Sequence, residues 1–311
     1  MKRKTIKFLC VIATAFLVRS FFIGCAKSGE KNNNTNSSYE NSQDNDDLSN
    51  NVHIVDEESE VHFIDTGNSD AILIKCEDKA ILIDGGDNND EKLVVSYLKN
   101  QGVERIDYMI ATHPHSDHIG GLDAVIKELD VKNLLVANGQ ANTKTYRDFI
   151  EAAANKGLNP SVPLEGAVFY LESNSYIKIF NTNGGINTNE ESLVTLFVNG
   201  EDKFLFTGDA EEGTEKEILN DMIDVDVLKI SHHGSKTSTS GEFLERVNPE
   251  YAVITVGENN KYKHPHEVTM EKLKENGIEV YRTDECGDII FKSSGNNVST
   301  DSVLGSYSYR G

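Results

Sequence analysis

The sequence predicts an α/β (α+β) fold in which two β-sheets pack face to face with helices on the outside. Two observations carry this. Beyond residue 58, short apolar strands alternate with helix-spaced segments, and each half of that region is strand-rich before it turns mixed. Several of the strands also end abruptly in a charged or imidazole cluster next to glycine, which is how a sheet edge builds a site.

The elements follow in order. Residues 61–65 and 71–76 alternate as strands around a Gly67-Asn68 turn, and 79–84 form a third strand stopped by Gly85-Gly86. Leu93, Val94, Tyr97 and Leu98 give 91–100 helical spacing, with Gly102 beyond. Residues 106–111 are a strand, and helix signals cover 121–129 and 143–156, the latter ending at Gly157. Strands return at 176–180, 193–198 and 203–206, followed by a helix at 211–219, a strand at 225–230 and a helix at 241–247. Residues 251–256, 267–276, 277–282 and 288–291 then read as strand, helix, strand and strand. The folded domain is therefore 59–295, and 296–311 reads as a polar C-terminal tail.

The beginning of the chain has a different character. Lys2, Arg3, Lys4 and Lys7 precede an apolar run over 8–18, too short to span a membrane as a mature helix, so 1–25 describes a secretory signal. Ile23-Gly24-Cys25 resembles the lipobox of bacterial lipoproteins, which would make Cys25 the lipidated first residue of an extracytoplasmic protein held at the cell membrane. Plain secretion and an uncleaved anchor are the alternatives. Residues 26–58 are rich in Asn, Ser and acidic groups, cannot offset their ordering entropy by burial, and read as a disordered tether. Cys76 and Cys286 are expected to be unpaired, although the compartment permits a disulfide.

The whole chain carries −21. Binding to long nucleic acid is driven by neutralising phosphates, so this acidity argues against an avid, non-specific DNA binder. It leaves room for a phosphodiesterase whose metals make the positive pocket.

The chemistry collects at strand ends. Thr112-His113-Pro114-His115-Ser116-Asp117-His118 follows an apolar strand and places three imidazoles and a carboxylate within six residues. Imidazole with carboxylate suits zinc, manganese or iron. The same grammar recurs at Ile83-Asp84-Gly85-Gly86, Phe206-Thr207-Gly208-Asp209 and Ile230-Ser231-His232-His233-Gly234-Ser235. Together these strand ends assemble a binuclear metal centre.

In that order the motifs resemble the metallo-β-lactamase superfamily, and more narrowly its ComEC-type competence branch. Phe63-Ile64-Asp65-Thr66-Gly67, Leu228-Lys229-Ile230 and His264-Pro265 add to the match, which spans about 61–291. The resemblance implies a four-layer αβ/βα sandwich with two divalent ions, Zn or Mn, at the shared edge of the sheets. Carried over by position, His113 and His115 hold one metal, Asp117, His118 and His233 the other, and Asp209 bridges them. Asp84 orients the histidine loop as an acceptor behind the ligands. Asp117 and His232 are the catalytic candidates, His232 either replacing His233 as ligand or facing the substrate as proton donor. Ser235, His264, Ser192 and Asn189 are the substrate-side candidates. The hydroxyls of 235–240 and the start of the next helix offer a phosphate cradle.

Two departures stand out. No histidine lies between His118 and Asp209, where most of the superfamily has a further ligand, so Asn189, Ser192, His264 or water must complete the first site. Gly67-Asn68-Ser69-Asp70 stands where the branch has Gly-Gln-Gly-Asp. The function implied is metal-dependent hydrolysis of a phosphodiester from the cell envelope, with no defined protein partner. A ComEC-like nuclease acting on DNA and a non-catalytic metal-containing receptor are the alternatives.

Overall fold

The computed structural model of the protein describes residues 58–172 and 174–309. The signal, Cys25 and all but the last residue of the tether lie outside the described residues. The first half contains β1 (Ser59–Phe63), β2 (Ile72–Cys76), β3 (Lys79–Ile83), α1 (Glu91–Asn100), β4 (Arg105–Ala111), α2 (Ser116–Ile119), α3 (Leu122–Glu128), β5 (Asp130–Val136) and α4 (Lys144–Asn155). The second contains β6 (Val168–Glu172), β7 (Ser175–Phe180), β8 (Val194–Asn199), β9 (Asp202–Phe206), α5 (Glu212–Ile218), β10 (Val227–Lys229), α6 (Gly241–Val247), β11 (Tyr251–Ile254), α7 (Glu267–Glu275) and β12 (Glu279–Arg282). A short helix α8 (Thr283–Cys286) then leads to β13 (Ile289–Ser293) and β14 (Val298–Thr300).

These strands form two seven-stranded sheets, ordered β14-β13-β1-β2-β3-β4-β5 and β12-β11-β10-β9-β8-β7-β6. Each sheet starts as an antiparallel meander and turns parallel, at β3–β4 in the first and at β9–β10 in the second. The parallel strands matter for function, because their carboxyl ends open together at one edge of a sheet, where ligands are bound.

Three apolar layers hold the sandwich together. Between the sheets, Phe63, Ile74 and Ile83 of the first meet Phe197, Phe206 and Val253 of the second. On the outer face of the first sheet, Val94, Leu98, Val125 and Phe149 of the helices cover Leu73, Leu82 and Met109. Ile218, Phe243, Leu244 and Met270 cover Leu205 and Leu228 on the other side. This is the four-layer αβ/βα arrangement that the resemblance implied, with the face-to-face sheets and outer helices that the strand and helix pattern predicted.

The C-terminal expectation is corrected. Residues 296–311 do not begin as a tail: Val298–Thr300 pair with β13 as an edge strand of the first sheet. Beyond it, Gly305 N–H donates to Val280 O at 2.8 Å and the Tyr307 hydroxyl to Ile278 O at 2.6 Å, beside β12 of the second sheet. The polar composition of this segment hid pairing carried by its backbone. Cys76, in the inter-sheet core, and the half-buried Cys286 are both free thiols. No helix among the described residues is long and apolar enough to cross a membrane.

Candidate metal centre

The first wall of the site grows from β3 and β4. The backbone turns left-handed at Asp84 (φ 58°), immediately after β3. Its carboxylate accepts from Thr112 N–H at 2.8 Å and from the Thr112 hydroxyl at 2.6 Å, and lies 2.7 Å from His118 Nδ1. Asp84 thereby holds the His118 ring with Nε2 pointing into the site, the tautomer-fixing role of a carboxylate behind a metal-ligating histidine. His115 precedes α2, so Asp117 and His118 stand on its first turn.

The second wall comes from β9 and β10. Gly208 has φ +52°, and a Cβ there would lie 3.1 Å from Thr112 and 3.2 Å from Ser192, so this residue lets the two sheets approach. Asp209 follows, with its N–H donating to the Ser192 hydroxyl. After β10, His232 (φ 51°) and His233 (φ 55°) are successive left-handed residues without the freedom of glycine. Such strain is tolerated where the surrounding structure over-determines it. Here Gly234 packs against Pro265, and His233 Nδ1 lies 2.8 Å from Thr255 O.

The carboxylate of Asp209 stands between two groups of imidazoles. Its Oδ1 lies 3.2 Å from His118 Nε2 and 3.7 Å from His233 Nε2. Its Oδ2 lies 3.7 Å from His113 Nε2 and 3.7 Å from His232 Nε2. His113 Nε2 is 3.0 Å from His115 Nδ1, and His233 Nε2 is 3.8 Å from Asp117 Oδ2. Two sets of converging ligand atoms result, Asp117-His118-Asp209-His233 and His113-His115-Asp209, each within 4.8 Å.

Both sets fit a cation. His118 Nε2, Asp209 Oδ1 and His233 Nε2 are buried yet have no hydrogen-bond partner. Each such orphan costs about 1–3 kcal/mol, and three converging from three segments make sense as ligands. The electrostatics agree. Burial alone would lower the pKa of His118, but Asp209 and Asp84 raise it well above the ordinary value. Burial would raise Asp209, but His118 and His233 pull it well below the carboxylate range. The centre draws positive charge to the point where a metal would sit.

A third cluster, Asp70-Asp84-His118, is geometrically able to hold an ion. Its carboxylates are already engaged: Asp84 as described, and Asp70 by Lys229 Nζ at 2.8 Å and by the Thr255 hydroxyl. We assign it to support of His118. Asp70 and Lys229 entered the sequence reading only as parts of quoted motifs, without a role. A single lysine inside the apolar strand 227–230 was the available signal, since a buried lysine requires a partner.

Four substrate-side candidates fare differently. His264 and Asn189 line an open cleft of about 530 Å³ above the metal sets, together with His115, Asp117, His232 and Tyr262. His264 Nδ1 and Asn189 Oδ1 have no partner there. Burial, with His233 and His232 nearby, pushes the His264 pKa down to about 3, so its ring is neutral at pH 7. Ser192 is corrected: it is fully buried behind His113, 3.3 Å from the Nδ1 that faces away from Asp209. Ser235 is corrected too, since its hydroxyl is buried and pairs with the Thr237 hydroxyl at 3.0 Å. The phosphate cradle at α6 is likewise closed. The Thr239 and Ser240 N–H groups donate to the buried Glu215 carboxylate, and the Ser240 hydroxyl caps Phe243 N–H.

A two-sheet sandwich with two His/Asp ligand sets at the carboxyl ends of its parallel strands defines a metal-site fold rather than a simple binding module. Comparison with known proteins agrees. Residues 64–258 match the family model of the metallo-beta-lactamase superfamily, and the chain belongs to that superfamily. Members of it are generally metal-dependent hydrolases. The chain is 33% identical over 220 residues to ComE operon protein 3 of Bacillus subtilis, covering 70% of this chain and 28% of that protein. It is 32% identical over 231 residues to competence protein ComA of Neisseria gonorrhoeae, covering 73% and 31%. It thus spans under a third of the length of these relatives. Among solved structures, the metallo-beta-lactamase fold protein YhfI of Bacillus subtilis superposes with a TM-score of 0.52 at 12% identity, over 76% of this chain and 99% of that one, which shows the shared fold.

Proposed function

We propose that the protein is a metal-dependent phosphodiesterase working outside the cytoplasm and held at the membrane through Cys25. The observation that carries the activity is Asp209, which presents one carboxylate oxygen to each of two ligand sets beneath an open cleft. Two divalent ions, Zn or Mn, would supply a water nucleophile at neutral pH and charge stabilisation for a phosphoryl oxygen. The chain's own residues do the rest. Asp84 and Thr112 fix the His118 ring, Asp117 faces the cleft beside His233, and His232 presents Nε2 from the opposite wall.

None of the described residues lining the cleft is Lys or Arg, so substrate charge would be met at the ligand sets alone. That favours a short or single phosphodiester over a long duplex. A second reading, a nuclease acting on DNA, is supported by the competence names of the relatives. The open cleft speaks against a closed structural metal site.

The test is hydrolysis by the full chain in detergent, loaded with Mn²⁺ or Zn²⁺. Bis-p-nitrophenyl phosphate, p-nitrophenyl phosphorylcholine and single-stranded DNA are compared. Cleavage lost on chelation and in Asp209→Ala is expected. Metal bound with all three substrates untouched would sink the phosphodiesterase.

A further inference from the structure

We propose that the outer end of the cleft is a nucleoside subsite, in which the base beside the scissile phosphodiester stacks on Tyr262 and Lys261 meets the next phosphate. This rests on the phosphodiesterase reading and names the substrate chemistry of the same site.

Tyr262 is a large aromatic residue left 51% exposed at the rim of a polar cleft. Its ring is stacked on His264, with centroids 5.6 Å apart and planes 22° apart. His264 is stacked in turn on His233, at 6.2 Å and 27°. A row of near-parallel rings thus leads from a ligand of the metal centre to the solvent. His264 is 4% exposed and its Nδ1 has no partner, so a buried polar atom within this row waits for a hydrogen-bonding ligand.

The walls narrow the chemistry of that ligand. Tyr262 and Asn68 stand between the cleft and an adjoining hollow of about 360 Å³. Asn89, Asn260, Asp87 and Asp90 line that hollow, and no aliphatic side chain does among the described residues. An acyl chain would find nothing to bury against. The amides and carboxylates instead match the mixed donors and acceptors of a base edge. Lys261 Nζ lies 4.8 Å from the Tyr262 ring centroid. Lys261 is exposed, so a base taking its place on the ring can send it towards a following phosphate. Stacking needs an unpaired base, which points to a dinucleotide or a single strand.

The experiment uses the full chain in detergent with Mn²⁺. Substrates are the thymidine dinucleotide, the same molecule lacking one base, and a thymidine oligomer. In parallel, a 2-aminopurine dinucleotide reports stacking directly by fluorescence quenching, with and without metal. Tyr262→Ala is expected to lower kcat/KM on the dinucleotide by about 5- to 150-fold, the factor for about 1–3 kcal/mol of stacking. It should lower the base-free substrate far less than the dinucleotide and abolish quenching, while Tyr262→Phe retains the activity and the quenching. Lys261→Ala should weaken the oligomer but not the dinucleotide. Equal losses on base-bearing and base-free substrates, or quenching unaffected by Tyr262→Ala, would overturn the subsite even if hydrolysis is robust. Tyr262-dependent quenching without any hydrolysis would keep the subsite and remove the phosphodiesterase reading. The preferred chain length then separates free dinucleotides from the ends of single strands.

Discussion

Replacing Lys229 by Met should cost more than any surface substitution, and the structure says how much. Lys229 Nζ and Asp70 Oδ2 are 2.8 Å apart, with side chains 0% and 2% exposed. Removing one partner of a buried pair leaves the other charge uncompensated, at about 3–5 kcal/mol. For a domain of this size each kcal/mol is about 2–4 °C in Tm, so the expected drop is about 6–20 °C. Asp70 also lies 3.8 Å from His118 Nδ1 and 3.5 Å from His233 Nδ1. Deprived of Lys229, its carboxylate would draw on those imidazoles and tilt two metal-facing rings, which should weaken metal binding about 10–100-fold. Burial would raise the Asp70 pKa, yet Lys229, His233 and His118 hold it below the ordinary value. A depressed carboxyl stabilises the fold above its unfolded pKa of about 3.9 and loses that contribution as pH falls through the folded value, so the comparison belongs at pH 7. The assay is thermal unfolding by circular dichroism, with bound metal counted by elemental analysis. Asp70→Asn/Lys229→Met, neutral on both sides, should recover most of the loss. If Lys229→Met melts within about 2 °C of the parent, or the double variant is no better than the single, the compensation argument is wrong.

Four further outcomes can be checked with the same material. Asp84→Asn should keep the fold but lower metal affinity about 10–100-fold by releasing the His118 ring, seen by competition with a chelator. His232→Ala should lower turnover without changing the number of metals bound; a lost equivalent would make His232 a ligand instead. Burial depresses the pKa of His62, whose Nδ1 lies 2.9 Å from the Tyr97 hydroxyl. Below pH ~6.5 the unfolded chain binds a proton that the folded chain excludes, so stability falls on acidification, and His62→Gln should flatten the Tm slope on the acid side of pH ~6.5. Stopping the chain after Ser294 removes β14 and the segment beside β12, and should lower Tm by several degrees; an unchanged Tm would restore the tail reading.

Most of the fold was legible because its strands are apolar and its helices amphipathic. Residues 91–100 and 241–247 were read to the residue, since Gly102 and Ser240 punctuate them. Three strands were missed for a shared reason. β5 carries Asp130, Lys132 and Asn133, β6 is exposed at Val168 and Tyr170, and β14 is short and polar, so each lies at a sheet edge where burial does not write a pattern. The ligand loop was legible because imidazoles crowd it. Behind the ligands Asp84 was legible too, but the Asp70–Lys229 pair was not. Asp70 and Lys229 are 159 positions apart and meet only through the packing of two sheets, which no local spacing announces. Ser192 and Ser235 misled in the opposite sense, since a hydroxyl near a motif looks alike whether it faces the cleft or the interior.

The absent histidine takes on a different meaning in three dimensions. His113, His115 and Asp209 form a set of three, and His264 does not join it within 4.8 Å. Ser192 stands behind His113, while Asn189 and His264 line the cleft above. A structural metal site closes with four protein ligands, whereas a catalytic one keeps a position open. Here His115, Asp209 and His232 line the cleft, so an ion held by the first set would be reached from it. A set of three protein ligands would therefore leave such a position on the cleft side. His232, 3.7 Å from the same Asp209 oxygen as His113 and 3.5 Å from Glu211 Oε1, stands at the cleft between two carboxylates.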